Sequence, residues 1–191
     1  MRAQHGLLFV ISGPSGVGKD ALIEKLVAQD PGIRRSVSYT TRAPRPGEKD
    51  GVDYSFVSRE QFDRLIDEGE FLEYASYDGN LYGTSAHRVA DLEAAGFDVI
   101  LKIDVKGAEQ VRQRLPGATF IFLEPPSMQE LIRRSATRQT ESAEDRSARQ
   151  MIAEVEMRYA SHYDHVVVND ELERTSHEIL GLIQAAREGQ T

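Results

Sequence analysis

The run Gly13-Pro14-Ser15-Gly16-Val17-Gly18-Lys19 satisfies G-x-x-x-x-G-K, a spacing suited to holding phosphate. Glycines let the backbone wrap closely around an anion and turn its N–H groups inward. The residues before the run read as a strand and those after it as a helix, so the positive end of the helix faces the same anion. Lys19 is then placed to reach the β- and γ-phosphates of a nucleoside triphosphate and to stabilise charge during transfer. An ordinary glycine-rich turn would account for the glycines, but not for a lysine in register with both strand and helix. A hydroxyl residue that ligates Mg2+ usually follows this lysine; here it is Asp20. A carboxylate can bind Mg2+ directly or through water. It can equally be an acidic residue favoured by the dipole of the first helical turn.

Arginine is the second residue type with chemical reach. Arg34, Arg35, Arg42 and Arg45 form one group, and Arg133, Arg134, Arg138, Arg146 and Arg149 another. The chain is acidic, with a formal net charge of −8. Local arginine in such a chain either holds small phosphorylated ligands or decorates solvated helix and loop faces. Arg42 and Arg45 have Ala43-Pro44 between them, and from an extended loop two such groups can converge on one phosphate. The overall charge argues against nucleic-acid and anionic-membrane partners. With no cysteine, disulfides, thiolate metal sites and a catalytic thiol are excluded. His5, His87, His162, His165 and His177 form no cluster with metal-ligand spacing.

Such groups need a scaffold. The chain has 191 residues, 40% hydrophobic and 28% charged, which fits one soluble domain over 1–191 with a sizeable core. Residues 7–12, 99–104, 119–123 and His165–Val168 read as buried strands. Helical patterns cover 20–29, 86–95, 106–114, 127–138, 146–162 and 173–187. Ser127 with Glu130, and Ser58 with Gln61, read as capping boxes. This alternation implies an α/β fold, a parallel sheet with helices on both faces. Residues 36–82 break the rhythm. Short β-like pieces at 35–39, 54–57 and 71–75 surround turns and a helix at 60–68, as in a small inserted lobe of mixed α/β structure. The polar stretch 139–145 lies between two arginine-bearing helices and reads as the centre of a helical lid, 134–149. The core is then 1–35, 83–133 and 150–191. The apolar run 7–11 is too short to span a membrane and poor as a signal peptide, so a cytoplasmic protein is expected. Oligomeric state has no signal in the sequence.

From Ser38-Tyr39-Thr40-Thr41-Arg42-Ala43-Pro44-Arg45-Pro46-Gly47-Glu48 to Gly51-Val52-Asp53-Tyr54-Ser55-Phe56, the chain resembles guanylate kinases, a family of P-loop nucleoside monophosphate kinases. The resemblance runs nearly end to end, through Gly69-Glu70-Phe71-Leu72-Glu73, Tyr82-Gly83-Thr84, Ile103-Asp104-Val105-Lys106-Gly107, Arg138-Gln139-Thr140-Glu141 and Val168-Asn169-Asp170. It implies ATP-dependent phosphorylation of GMP, and of dGMP, with Mg2+ as cofactor and ATP and GMP as the partners. On the donor side it implies ATP contacts from Gly13, Pro14, Ser15, Gly16, Val17, Gly18, Lys19, Asp20, Arg134 and Arg138. Asn169 resembles the family's residue near adenine, and equally reads as the cap of the last strand. Lys19, Arg45, Arg138 and Arg149 are implied as catalytic. On the acceptor side, Arg42 and Arg45 would clamp the GMP phosphate, Tyr54 would add a phenolic donor, and Tyr82 would pack nearby. Guanine presents N1–H and an exocyclic amine, both donors, and the resemblance assigns Glu73 to that edge. It assigns Ser38 to the O6/N7 side and Asp104 to an amine proton. Thr84 stands where the family usually has serine. Taken singly, Glu73 reads as the exposed residue of an edge strand, Asp104 as a strand end, and Arg42 and Arg45 as surface charges.

Three further positions depart from the family pattern. Gln139 replaces a usual glycine, Asp20 replaces the hydroxyl residue, and Lys102 stands where an acid is usual. Random surface drift would account for the changes at 20 and 102, but both positions should face one site, so a compensating exchange of charge is the better explanation, and the two side chains are expected to pair when nucleotide is absent. Two other functions compete. One is a kinase acting on a ribose bisphosphate, which has no guanine edge for Ser38, Glu73 and Asp104 to read. The other is a guanylate kinase-like domain that binds protein, a type that tends to lose the phosphate loop that is intact here.

Overall fold

The computed structural model describes residues 5–77, 79–135 and 143–189, and at 135 and 143–149 the backbone alone. β1 (Leu8–Ser12) is buried along its whole length. It lies between β7 (Asp98–Lys102) and β8 (Thr119–Glu124), parallel to both. That double neighbour explains its unbroken apolar run, since a central parallel strand is covered on both faces. β2 (Ile33–Arg35) and β9 (His165–Val168) complete a five-stranded sheet among the described residues, in the order β2-β7-β1-β8-β9. Alternate residues of β1 serve opposite faces. Phe9 and Ile11 pack with Leu22, Ile23 and Leu26 of α1 (Lys19–Gln29) and with Ile179 and Ile183 of α7 (Leu172–Gly189). Leu8 and Val10 pack with Val89 of α3 (Ala86–Ala94) and Val111 of α4 (Val105–Arg114). The parallel sheet with helices on both faces is thus as expected.

A second sheet, in the order β4-β3-β6-β5, is built from β3 (Tyr39–Thr40), β4 (Ser55–Phe56), β5 (Phe71–Tyr77) and β6 (Asn80–Ser85). β5 and β6 are antiparallel, and Gly79, at φ 73°, turns one into the other. α2 (Arg59–Asp67) begins with the expected capping box of Ser58 and Gln61 and buries Phe62, which stacks on Phe71 at 4.5 Å between ring centroids. The two remaining described helices are α5 (Met128–Ser135) and α6 (Ala143–Met157).

Several expectations are corrected. The β-like piece 35–39 is divided: Arg35 ends β2 of the first sheet, and Tyr39 begins β3 of the second. Ile33 is the only apolar residue of β2, too short a signal to mark a strand. Residues 80–85, which carried no strand expectation, pair with β5 and β3 on both sides. β7 ends at Lys102, and Asp104 caps α4 by accepting from the Gly107 N–H at 2.7 Å. The helix expected over 146–162 stops at Met157 and tightens into a 3-10 turn, Arg158–His162. At α5, Ser127 accepts from the Glu130 N–H, but the Glu130 carboxylate is taken by Arg133 and Arg134 rather than closing a box. Of the expected lid, 136–142 lie outside the described residues.

Candidate active site

The phosphate loop joins β1 to α1 and depends on glycine at both ends. Gly13 and Gly18 have φ of 147° and 103°. A Cβ on Gly13 would lie 2.4 Å from the Leu123 carbonyl oxygen, and one on Gly18 would lie 2.6 Å from the Asn169 amide. Asn169 supports the loop from the side of β9. It is buried and donates to the Val17 carbonyl at 2.7 Å, while Arg134 donates to the Asn169 carbonyl at 2.9 Å. Lys19 curls back on its own loop, donating to the Gly13 and Pro14 carbonyls at 2.5 and 3.1 Å. Burial brings its amine down to about 8, with the Glu156 charge as the main opposing influence. Glu156, on α6, is 7% exposed, and its Oε2 has no hydrogen-bond partner among the described residues. Burial raises its carboxyl, while Lys19 and the Ser15 N–H favour its charge.

One cleft of about 540 Å³ runs from this loop to the second sheet. Gly13, Ser15, Gly16, Gly18, Lys19 and Asp20 line its loop end, and Ser38, Arg42, Arg45, Tyr54, Glu73, Tyr82 and Asp104 are among the residues lining the rest. Three cations surround the Tyr54 ring: Lys102 at 5.0 Å from its centroid, Arg42 at 5.5 Å and Arg35 at 5.9 Å. Tyr82 packs edge-on to Tyr54 at 5.9 Å. So much positive charge around one phenol suits an incoming anion. Glu48 supplies an internal one: its carboxylate takes both bonds from Arg42, at 2.8 and 3.0 Å, and the Arg45 N–H at 2.7 Å. The Arg45 side chain itself is exposed at the rim.

Glu73 is not the exposed residue of an edge strand. It is 3% exposed and accepts from the Thr84 hydroxyl at 2.6 Å. Its second oxygen lies against Gly107 of α4, where a Cβ would approach it to 2.5 Å. Burial, aided by the nearby Asp104 charge, pushes its carboxyl up to about 7. A buried carboxylate with so little protein compensation needs donors from elsewhere. Thr84 itself is fully enclosed behind Glu73, so it supports the site without lining it.

The expected exchange of charge is realised as an ion pair: Lys102 donates to Asp20, and also to the Tyr54 hydroxyl at 3.1 Å. The cleft wall beside the exposed Asp20 works against its charge, but Lys102 outweighs it, so the carboxyl sits below the usual range. Arg138 lies outside the described residues, as does the side chain of Arg149. Several cleft residues carry no site assignment from the sequence, Glu24, Glu48, Asp53, Tyr77 and Glu156 among them, and Arg35 has one only as a member of an arginine group. Proximity in sequence to Arg42 was a usable signal for Glu48. Glu156 carried none, being one acid among several on an amphipathic helix.

The family model for guanylate kinase matches residues 6–186. A guanylate kinase of Desulfitobacterium hafniense is 51% identical over 172 residues, 90% of this chain and 86% of that protein. That of Neisseria gonorrhoeae is 49% identical over 184 residues, 96% of this chain and 90% of that protein. Among solved structures, a guanylate kinase from Anaplasma phagocytophilum superposes with a TM-score of 0.78 at 37% identity, covering 95% of this chain and 86% of that one. A shikimate kinase from Bacteroides thetaiotaomicron, at 13% identity and a TM-score of 0.51, covers 93% of this chain and 98% of its own and shares the fold alone. The loop, the cleft and these matches together place the chain in the guanylate kinase family.

Proposed function

We propose that the protein transfers the γ-phosphoryl group of ATP to GMP, and to dGMP, giving ADP and the nucleoside diphosphate. The observation that carries this reading is one cleft that joins a phosphate loop to a buried, under-compensated carboxylate, Glu73. ATP phosphates occupy the loop, held by its backbone N–H groups and by Lys19 once it swings from Gly13 and Pro14. The GMP phosphate displaces Glu48 from Arg42 and Arg45 and lies beside Tyr54 and Tyr82. Guanine then sets N1–H and its amine against Glu73, with Ser38 and Asp104 at neighbouring base atoms. The bond from the γ-phosphorus to the ADP oxygen breaks as one to a GMP phosphate oxygen forms. Lys19, Arg45, Arg138 and Arg149 offset the charge of the moving group.

Among the described residues no three His, Asp or Glu side chains gather to hold a metal by themselves. Asp20, an exposed carboxylate on the cleft beside the loop, fits a Mg2+ ion bound chiefly by water and phosphate oxygens. When bound, the ion neutralises donor phosphate charge. The substrates and the acidic surface support a cytoplasmic protein without nucleic-acid or membrane partners. Among the described residues no helix is long and apolar enough to cross a membrane.

A coupled assay with MgATP, run against GMP, dGMP, AMP, CMP and ribose 1,5-bisphosphate, tests the reading. Adenine puts an acceptor where Glu73 needs a donor, which costs about 1–3 kcal/mol or more. GMP should therefore be used at least ~5-fold better than AMP. Equal rates across the monophosphates would remove the base-reading role of Glu73, and turnover of the ribose bisphosphate would favour the rival kinase.

A further inference from the structure

Lys102 is the last residue of β7, opposite Ile11 of β1 in the sheet register, so its backbone is fixed and only its side chain can move. That side chain is 12% exposed, against 65% for its partner Asp20. It reaches to two sides of the cleft at once. On one side it binds Asp20, which follows the loop lysine; on the other it binds the Tyr54 hydroxyl at 3.1 Å, within the cluster of Arg35 and Arg42.

We propose that Lys102 is a positioning residue that couples the donor and acceptor sites, so that each nucleotide tightens the binding of the other. The proposal rests on the assignment of the two sites given above. In the ligand-free cleft the charge of Lys102 is committed to Asp20. A donor nucleotide bound with its divalent cation draws the Asp20 carboxylate away. Lys102 keeps its bond to Tyr54 and has its full charge to offer to an acceptor phosphate there. Linkage requires the reverse as well: an acceptor phosphate that recruits Lys102 releases Asp20 toward the donor's cation. Arg35, whose charge also acts on Asp20, remains in place and limits how far Asp20 is left without a partner.

The test is calorimetric titration of GMP into the protein, alone and with a non-hydrolysable ATP analogue plus Mg2+. The wild type should bind GMP about tenfold more tightly with the analogue present. Lys102→Met should bind GMP equally with and without it. Asp20→Asn is the sharper variant, because it removes the charge that holds Lys102 while leaving Lys102 itself in place. It should tighten GMP alone to near the level the wild type reaches only with the analogue, and show no further gain. A Lys102→Met protein that keeps the wild-type ratio overturns the proposal, as does Asp20→Asn that binds GMP alone no better than wild type. Failure of the wild type to bind GMP at all would instead overturn the proposed function.

Discussion

At Glu73, the burial seen in the structure is what the proposed recognition of guanine would use. Its carboxyl, ordinarily near 4.5, is pushed up to about 7, so between those values the folded chain holds a proton that the unfolded chain has lost. Stability contributed by this residue therefore falls as pH rises across that window and is level above it. In the proposed binding mode GMP would supply two donors to the ionised form and pull the proton off. At about pH 6, Glu73 should contribute up to ~1 proton to the release on GMP binding, read from calorimetry in buffers of different ionisation enthalpy. Glu73→Gln should lower the count by about that amount and weaken GMP, leaving the ATP analogue bound as before and leaving the protons shed by the GMP phosphate, whose second pKa is about 6. A proton count unchanged by that substitution would remove Glu73 from the base edge. The position was readable in the sequence only as one residue of a family pattern. Its burial depends on Gly107 and Thr84, distant in sequence, and no local periodicity reports that.

Between elements, the contact that shapes the proposed base pocket is α4 against β5. Asp104 caps α4 and turns its first turn toward Glu73, and Gly107 lets the carboxylate lie on the helix backbone. Gly107→Ala should raise helix propensity by about 1 kcal/mol, yet its Cβ would sit 2.5 Å from Glu73 Oε2. GMP KM should rise about tenfold or more, with affinity for the ATP analogue unchanged; an unaltered GMP KM would show that the carboxylate has room to spare. Elements with strong periodic or capping signals were legible: the buried β1, the Ser58 box, the phosphate loop with its lysine. Elements made by pairing were not. β2 has a single apolar residue, and β6 is a strand because β5 and β3 lie on either side of it. Asp104 was read as a strand end because an aspartate that ends a strand and one that starts a helix look alike in sequence.

Over the whole molecule, two sheets share one cleft and are joined by short passages, residues 36–38 and the step from β6 directly into α3. Binding both nucleotides should draw the second sheet over the strand ends of the first, excluding water from the transferred group. Amide exchange over 39–85 should slow with GMP plus a non-hydrolysable ATP analogue, followed by mass spectrometry; no change there would count against closure. The carboxylates already facing the cleft cations, Glu48 on Arg42, Asp20 on Lys102 and Glu156 opposite Lys19, bear on the opposite end of the cycle. A diphosphate departing from bare cations would have to uncover each one against its full attraction. On the proposed activity, a side chain of the same cleft would take up each charge as the phosphate lets go, exchanging the outgoing product for a resident partner. Residence time would be shortened at some expense of affinity, a favourable trade where the exit of product limits turnover.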